Sequence, residues 1–196
     1  MKIEKIVIAS NNKEKIKETQ EILKDYEIIS LKDLGIEVEV EENKNTFEKN
    51  AIKKAEKTSQ KLKGQICIAD DSGIEIEFLK GFPGVNTKRW FDGNDRERNL
   101  ALLEKLNGVP KEKRKIEFTT AIALSNGKTS ICEVGKISGF VSEKPRGKNG
   151  FGFDEIFELE NGKTLAEISK DEKNKISARK IALEKIRNKI MYFEKW

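Results

Sequence analysis

Apolar and polar positions alternate through KIEKIVIAS and then become continuously apolar, a pattern that predicts a strand at about 2–9. SNNKEKIKETQEILKDY follows, with Ile16, Ile22 and Leu23 on one helical stripe and Ser10, Asn11 or Asn12 available as the cap. EIISL and IEVEV have the pattern of short strands, and TFEKNAIKKAEKTSQKLKG that of an amphipathic helix closed by Gly64. QICIAD and GIEIEFL predict two strands on either side of an Asp-Asp-Ser-Gly cluster. Turn signals at Gly81, Pro83 and Gly84 lead to a third helix in NDRERNLALLEKLNG, capped by Asn94 or Asp95. KIEFTTAIALSNGKTSICEVGKISGFV is the clearest antiparallel signal, two long strands joined through Ser125-Asn126-Gly127. A charged, glycine-rich loop, SEKPRGKNGFGFDEIF, comes next. The end, DEKNKISARKIALEKIRNKIMYF, predicts one long helix burying Ile176, Ala182, Leu183, Ile186 and Ile190. Strand-helix alternation at the front with a hairpin in the middle predicts an α/β protein with a mixed sheet, as one domain over 1–196 with room for two lobes.

Composition adds to this picture. Charged residues make up 37% of the 196 and apolar residues 36%, but both are periodic, which marks a folded chain with heavily charged helix faces. No apolar run approaches membrane-span length and the Met1 segment has no apolar signal core, so an untargeted cytoplasmic protein is the default expectation. The chain has no histidine, which excludes histidine zinc sites, Ser-His-Asp triads and imidazole bases and leaves acid-base work to carboxylates, lysines, tyrosines or metal-bound water. Cys67 and Cys132 lie in strand-like contexts without metal-ligand spacing and are expected to be reduced core residues. A net charge of +5 suits a polyanionic ligand or nucleic acid and by itself selects neither.

Five constellations can carry chemistry. Ser10-Asn11-Asn12-Lys13-Glu14-Lys15 sits where a strand hands over to a helix, a generic anion site or else a capped surface helix. Asp70-Asp71-Ser72-Gly73 puts adjacent carboxylates on opposite faces of the pleat, so one must approach the interior or a cleft and needs a cation, donors or a metal; the plain alternative is a turn between two strands. Glu41 and Glu42 end the IEVEV segment, where they either supply oxygen ligands for Mg²⁺ or stay solvated. Phe151, Gly152, Phe153 and Asp154 combine glycine-rich flexibility with two aromatics, as a base-stacking floor or as plugs for the core. Lys173 and Arg179 are six positions apart, nearly opposite on one continuous helix, and reach a common ligand only if the chain before Ser177 is a loop.

Taken in order, ASNNKEK, EENKNTFEKNAIKKA, IADDSGIEI, GFPGVNTKRW, NGFGFDEIF and EKNKISARKIA resemble the inosine triphosphate pyrophosphatases, also called XTP/dITP diphosphatases, over nearly the whole chain. The resemblance implies a mixed, bent sheet with flanking helices forming two lobes around a nucleotide cleft, a homodimer, and Mg²⁺-dependent hydrolysis of a nucleoside triphosphate to monophosphate and pyrophosphate. It implies Asp71 as catalytic carboxylate and metal ligand, Glu41 as the other acidic metal position, and Ser72 as a substrate contact. Ser10, Asn11, Asn12, Lys13, Glu14 and Lys15 would hold the triphosphate, Phe151 to Asp154 the base, and Lys173, Ala178 and Arg179 further parts of the nucleotide. Asn50 and Lys54 match recurrent polar positions. Three positions depart from the pattern: Ala178 stands where a histidine is usual, Glu155 where a proline is, and Asn86 where a tyrosine is frequent.

The expected mechanism is metal-assisted attack of water at the α-phosphate with ITP, dITP and XTP preferred over ATP and GTP, and Lys13, Lys15 and Arg179 offsetting charge on the leaving pyrophosphate. The rivals are a related pyrophosphatase acting on other modified nucleotides and a non-catalytic nucleotide or nucleic-acid binder. Basic residues interleaved with acids, rather than clustered, argue against a nucleic-acid partner.

Overall fold

Strand β1 (Glu4–Ile8) opens the fold in a computed structural model that describes residues 4–193, so the first two positions of the predicted strand lie outside the described residues. Around it follow α1 (Lys13–Ile22), β2 (Tyr26–Ser30), α2 (Phe47–Lys61), β3 (Cys67–Ile76), β4 (Phe82–Pro83), α3 (Asp95–Lys105), β5 (Lys115–Ser125), β6 (Ser130–Val141), β7 (Phe157–Glu158), α4 (Lys170–Ile176) and α5 (Ala178–Phe193). The strands join in the order β2-β1-β3-β5-β6-β7, with β4 on β3. Pairing of β1 with β2 and β3 is parallel, whereas β3 with β4 and β6 with β7 are antiparallel, so the sheet is mixed as the alternation of elements predicts. No helix among the described residues is long and apolar enough to cross a membrane.

The chain divides into two compact units. The first takes residues up to Ser72, Thr120–Gly135 and those from Ala178 on; the second takes Gly73–Thr119 and Lys136–Ser177. Strands β3, β5 and β6 each give one half to each unit.

In the first unit Ile6 and Ile8 of β1, Ile68 of β3 and Leu124 of β5 pack with Ala182, Leu183, Ile186 and Ile190 as predicted, whereas Ile176, also expected to be buried, is 39% exposed. The helix backbone lies directly on β6: a Cβ on Gly135 would stand 2.0 Å from the Ala178 carbonyl oxygen, so only glycine fits. Asn12 is the α1 cap, its side chain accepting from the Glu14 and Lys15 amides. The second unit has its own core of Ile74, Ile76, Leu102, Leu106, Ile116, Val141 and Phe157. Asn94 caps α3 through a reciprocal box with Glu97. Trp90 and Phe91 are half-buried inside this unit, Trp90 packing edge to face on Phe82 at 5.1 Å and tilted against Phe91 at 5.4 Å.

Three expectations are corrected. IEVEV forms no strand; Ile36, Val38 and Val40 are alternately half-buried, but the carbonyls of Glu37 and Glu41 accept from Lys61 and Lys53 of α2 at 2.5 and 2.7 Å. The alternation there reports one-sided burial without a ladder. The Asp-Asp-Ser-Gly cluster is no turn, because β3 runs unbroken from Cys67 to Ile76. The last helix is two helices: Ser177 is extended at φ −65°, ψ 147°, separating α4 from α5. Both cysteines are free, Cys67 in the core as expected and Cys132 only half-buried, and burial pushes each thiol up to about 12.

Candidate active site

The unbroken β3 puts Asp70 and Asp71 on opposite faces, and both carboxylates are buried, at 4% and 8% exposure. Their surroundings differ completely. One oxygen of Asp70 accepts from Lys15 Nζ at 2.6 Å and from Arg179 Nη1 at 3.0 Å, with the Ser72 hydroxyl 3.3 Å away. Arg179 is held from a second side, its Nε 2.9 Å from Glu18. Lys54 donates to the Asp70 carbonyl at 2.9 Å and pairs with Glu42. Burial alone would raise Asp70, but Arg179, Lys15 and Lys54 overcome it and hold the carboxyl well below the usual carboxylate range. For Lys54 burial works against its charge, yet Asp70 and Glu42 outweigh it and raise the ammonium.

Asp71 receives only neutral donors, Asn50 Nδ2 at 2.9 Å and the Ser72 amide at 3.0 Å. Burial pushes it up to about 6, and the negative charges of Glu42 and Asp70 add to the push against Asn50 and Lys54. A strand that carries one saturated and one under-compensated carboxylate side by side is a place for a positively charged ligand and for a proton acceptor that works near neutrality.

The expected metal position Glu41 is exposed. Its carboxylate accepts from Asn43 at 2.8 Å, while the carboxylate of Glu42 meets Lys54 and acts on Asp71. Of the remaining expected phosphate residues, Asn11, Lys13 and Glu14 are exposed, Ser10 accepts from the Asn12 amide, and Lys15 is spent on Asp70. Ala178 is buried at 2% exposure and opens α5 immediately before Arg179.

In the second unit the Phe-Gly-Phe-Asp loop is fixed through its own acid. Asp154 accepts from the Phe151 amide at 2.8 Å and from Lys173 at 2.5 Å, and Lys173 stands 4.4 Å from the centre of the Phe151 ring. Burial raises the Asp154 carboxyl against the pull of Lys173. The two phenylalanines divide: Phe153 belongs to the core, and Phe151 keeps part of its ring exposed. Lys173 lies on α4 and Arg179 on α5, so the break at Ser177 releases them from a common helical phase.

Several residues of these clusters escape sequence reasoning. Glu18 had a usable signal, since Lys15, Glu18 and Ile22 fall on one face of α1 and the charged pair therefore occupies apolar positions. Glu42 was visible beside Glu41 as an acidic pair and Asp95 as a cap candidate, whereas Thr120 and Asn99 had no signal, because only the fold sets Thr120 Oγ1 3.1 Å from Ser72 Oγ or Asn99 against the Gly152 carbonyl.

Residues 6–189 match the Ham1 family. The chain is 45% identical over 192 residues to a dITP/XTP pyrophosphatase of Thermoanaerobacter sp. (strain X514), covering 95% of this chain and 96% of that protein. It is 42% identical over 186 residues to the dITP/XTP pyrophosphatase of Bacillus subtilis (strain 168), covering 92% and 93%. Among solved structures, the Ham1 protein of Staphylococcus aureus superposes with a TM-score of 0.86 at 35% identity over 96% of this chain and 98% of the other. A HAM1 protein from Coxiella burnetii gives 0.87 at 36% identity, over 97% and 100%.

Proposed function

Since this chain belongs to the Ham1 family, we propose that it hydrolyses ITP, dITP and XTP to the nucleoside monophosphate and pyrophosphate, removing aberrant purines from the nucleotide pool. The relatives named dITP/XTP pyrophosphatase support this substrate class. The observation that carries the chemistry is the contrast between neighbouring carboxylates, Asp70 saturated by cations and Asp71 pushed up to about 6.

The donor set fits Mg²⁺. Among the described residues no three or more acidic or thiol side chains converge into a cage, and Mg²⁺ characteristically uses one or two carboxylates together with substrate phosphates. Asp71, buried against neutral donors and repelled by Glu42, is such a carboxylate. Asp71 and Glu42 would hold the ion, Glu42 taking the part expected of Glu41. When bound, Mg²⁺ supplies charge neutralisation at the phosphate oxygens.

The residues do the rest. Water attacks the α-phosphorus as the bond to the bridging oxygen of the β-phosphate breaks, and Asp71 accepts the proton that water loses. Burial raises this carboxyl to about 6 in the metal-free protein, and bound Mg²⁺ would lower it, so that Asp71 would be ionised and able to accept at neutral pH. Lys15 and Arg179, oriented through Asp70, would offset charge on the departing pyrophosphate, with Lys13 at the exposed start of α1. Phe151 offers a stacking surface for the base on the face that Lys173 leaves, and the backbone of Gly152 to Asp154 lies beside it. A donor aimed at the 6-oxo group would reject adenine by leaving a polar group unpaired. A homodimer and a cytoplasmic location complete the reading and rest on the family resemblance.

The test is a substrate panel with pyrophosphate and monophosphate both quantified. ITP, dITP and XTP are expected to give one pyrophosphate each and to exceed ATP, GTP and modified pyrimidine triphosphates in kcat/KM. Release of single phosphates, or equal kcat/KM on ATP, would contradict the proposal.

A further inference from the structure

The loop that would hold the base is anchored from outside itself by helix α3. The Gly152 amide donates to Asp95 Oδ2 at 2.9 Å, and the Gly152 carbonyl accepts from Asn99 Nδ2, also at 2.9 Å. Asp95 and Asn99 are four residues apart, on one face of one helix. These two bonds belong to different peptide planes, the one before Gly152 and the one after it, so together they fix both of its backbone dihedrals. Gly152 sits at φ +65°, where an unanchored glycine exchanges freely with other conformations.

The anchors are themselves held. Arg98 pairs with the other oxygen of Asp95 at 2.7 Å and donates to the Gly93 carbonyl at 3.2 Å. Asn99 is 1% exposed, and a carboxamide facing a carbonyl must present its nitrogen, which leaves Asn99 Oδ1 as a buried acceptor without a protein partner. A buried side chain that leaves its own acceptor unmatched in order to donate to a loop glycine is arranged for the loop. Asp154 fixes the Phe151 amide from within. The Phe151 ring is thus set by Asp154 on one side and by α3 on the other.

We propose that Asp95 and Asn99 are positioning residues for base recognition, pinning Gly152 so that Phe151 and the adjoining backbone are preorganised for a purine ring. This rests on the reading above, in which Phe151 to Asp154 take the base. Freeing Gly152 makes nucleotide binding bear the ordering of the loop, and it does not touch the groups that act on the phosphates.

Asp95 is half-exposed and its replacement is compatible with folding. For Asp95→Ala, KM for dITP is expected to rise roughly 5–30-fold with kcat within about threefold, the range for one lost anchor. The inhibition constant of pyrophosphate, which has no base, is expected to stay unchanged. Amide hydrogen exchange at Gly152 should accelerate in the nucleotide-free variant. Asp95→Asn, which keeps an accepting oxygen, should restore KM to near wild type, and Asn99→Asp, which turns a lone pair toward the Gly152 carbonyl, should behave like Asp95→Ala. A wild-type KM in Asp95→Ala, a parallel rise in the pyrophosphate inhibition constant, or an Asp95→Asn variant as weak as Asp95→Ala would overturn the proposal. A wild-type protein that releases no pyrophosphate from any nucleotide would overturn the base-site reading together with it, and is separable from an active enzyme that ignores Asp95.

Discussion

The Asp70–Ser72 segment of β3 and the 147–154 loop are held in opposite ways. The first is a strand interior in which buried charges are matched by other charges: Lys15, Arg179 and Lys54 converge on Asp70, and Glu18 secures Arg179. The second is a glycine-rich loop whose shape comes from main-chain hydrogen bonds to Asp154, Asp95 and Asn99, with one lysine over one ring. Charges fixed in a low-dielectric interior suit stabilisation of a transition state, because they need no reorganisation as the reaction proceeds. A pinned loop with a part-exposed aromatic suits recognition of a flat, uncharged ring. Damage to the first should therefore appear in kcat and stability, and damage to the second in KM.

The largest effect expected on stability is at Asp70. Asp70→Asn removes the carboxylate that Lys15 and Arg179 share in the buried cluster and should cost about 3–5 kcal/mol in denaturant unfolding. Because its folded value lies below the ordinary 3.8, the contribution of Asp70 is present above that pH and is lost as pH falls through the lowered value. A loss under 1 kcal/mol at neutral pH would show that Asp70 is not the hub.

Its neighbour should respond with the opposite sign. Asp71 is raised from 3.8 to about 6, so in metal-free protein its stabilising contribution is complete below 3.8 and is lost as pH rises through about 6. Asp71→Asn is expected to stabilise the metal-free protein by roughly 1–3 kcal/mol at pH 7 and to make no difference near pH 3.5. Destabilisation at pH 7 would remove the basis for calling this carboxylate under-compensated. The smallest of the three effects lies in the other region: Phe151→Ala should weaken nucleotide binding by about 1–2 kcal/mol, roughly 5–30-fold in KM, with kcat nearly kept. An equal fall in kcat would erase the contrast between the regions.

How far the sequence exposed all this depended on whether the signal was local. Caps at Asn12 and Asn94, the Gly64 stop and the hairpin at Asn126-Gly127 follow from side chains that reach backbone a few residues away, and they stand as predicted. The division of Asp70 and Asp71 between two faces followed from the strand period alone. The failures share a cause in partners distant along the chain. IEVEV alternates because it is buried on one side, yet it joins no ladder, and Lys61 of α2 takes its Glu37 carbonyl. In the same segment Glu41 accepts from Asn43 and Glu42 pairs with Lys54, contacts that no local pattern announces. The last helix carried its own warning, since Lys173 and Arg179 were out of phase, and the break at Ser177 resolves it.

Asp71 as the proton acceptor is the claim from which the rest of the chemistry follows. Its most direct test is steady-state pyrophosphate release from dITP by Asp71→Asn at saturating Mg²⁺ and nucleotide, with nucleotide binding measured on the same sample. Turnover is expected to fall by about 10²–10⁴-fold while the variant still binds dITP and keeps its cooperative unfolding. Turnover above a tenth of wild type, in a variant that binds dITP normally, would contradict it.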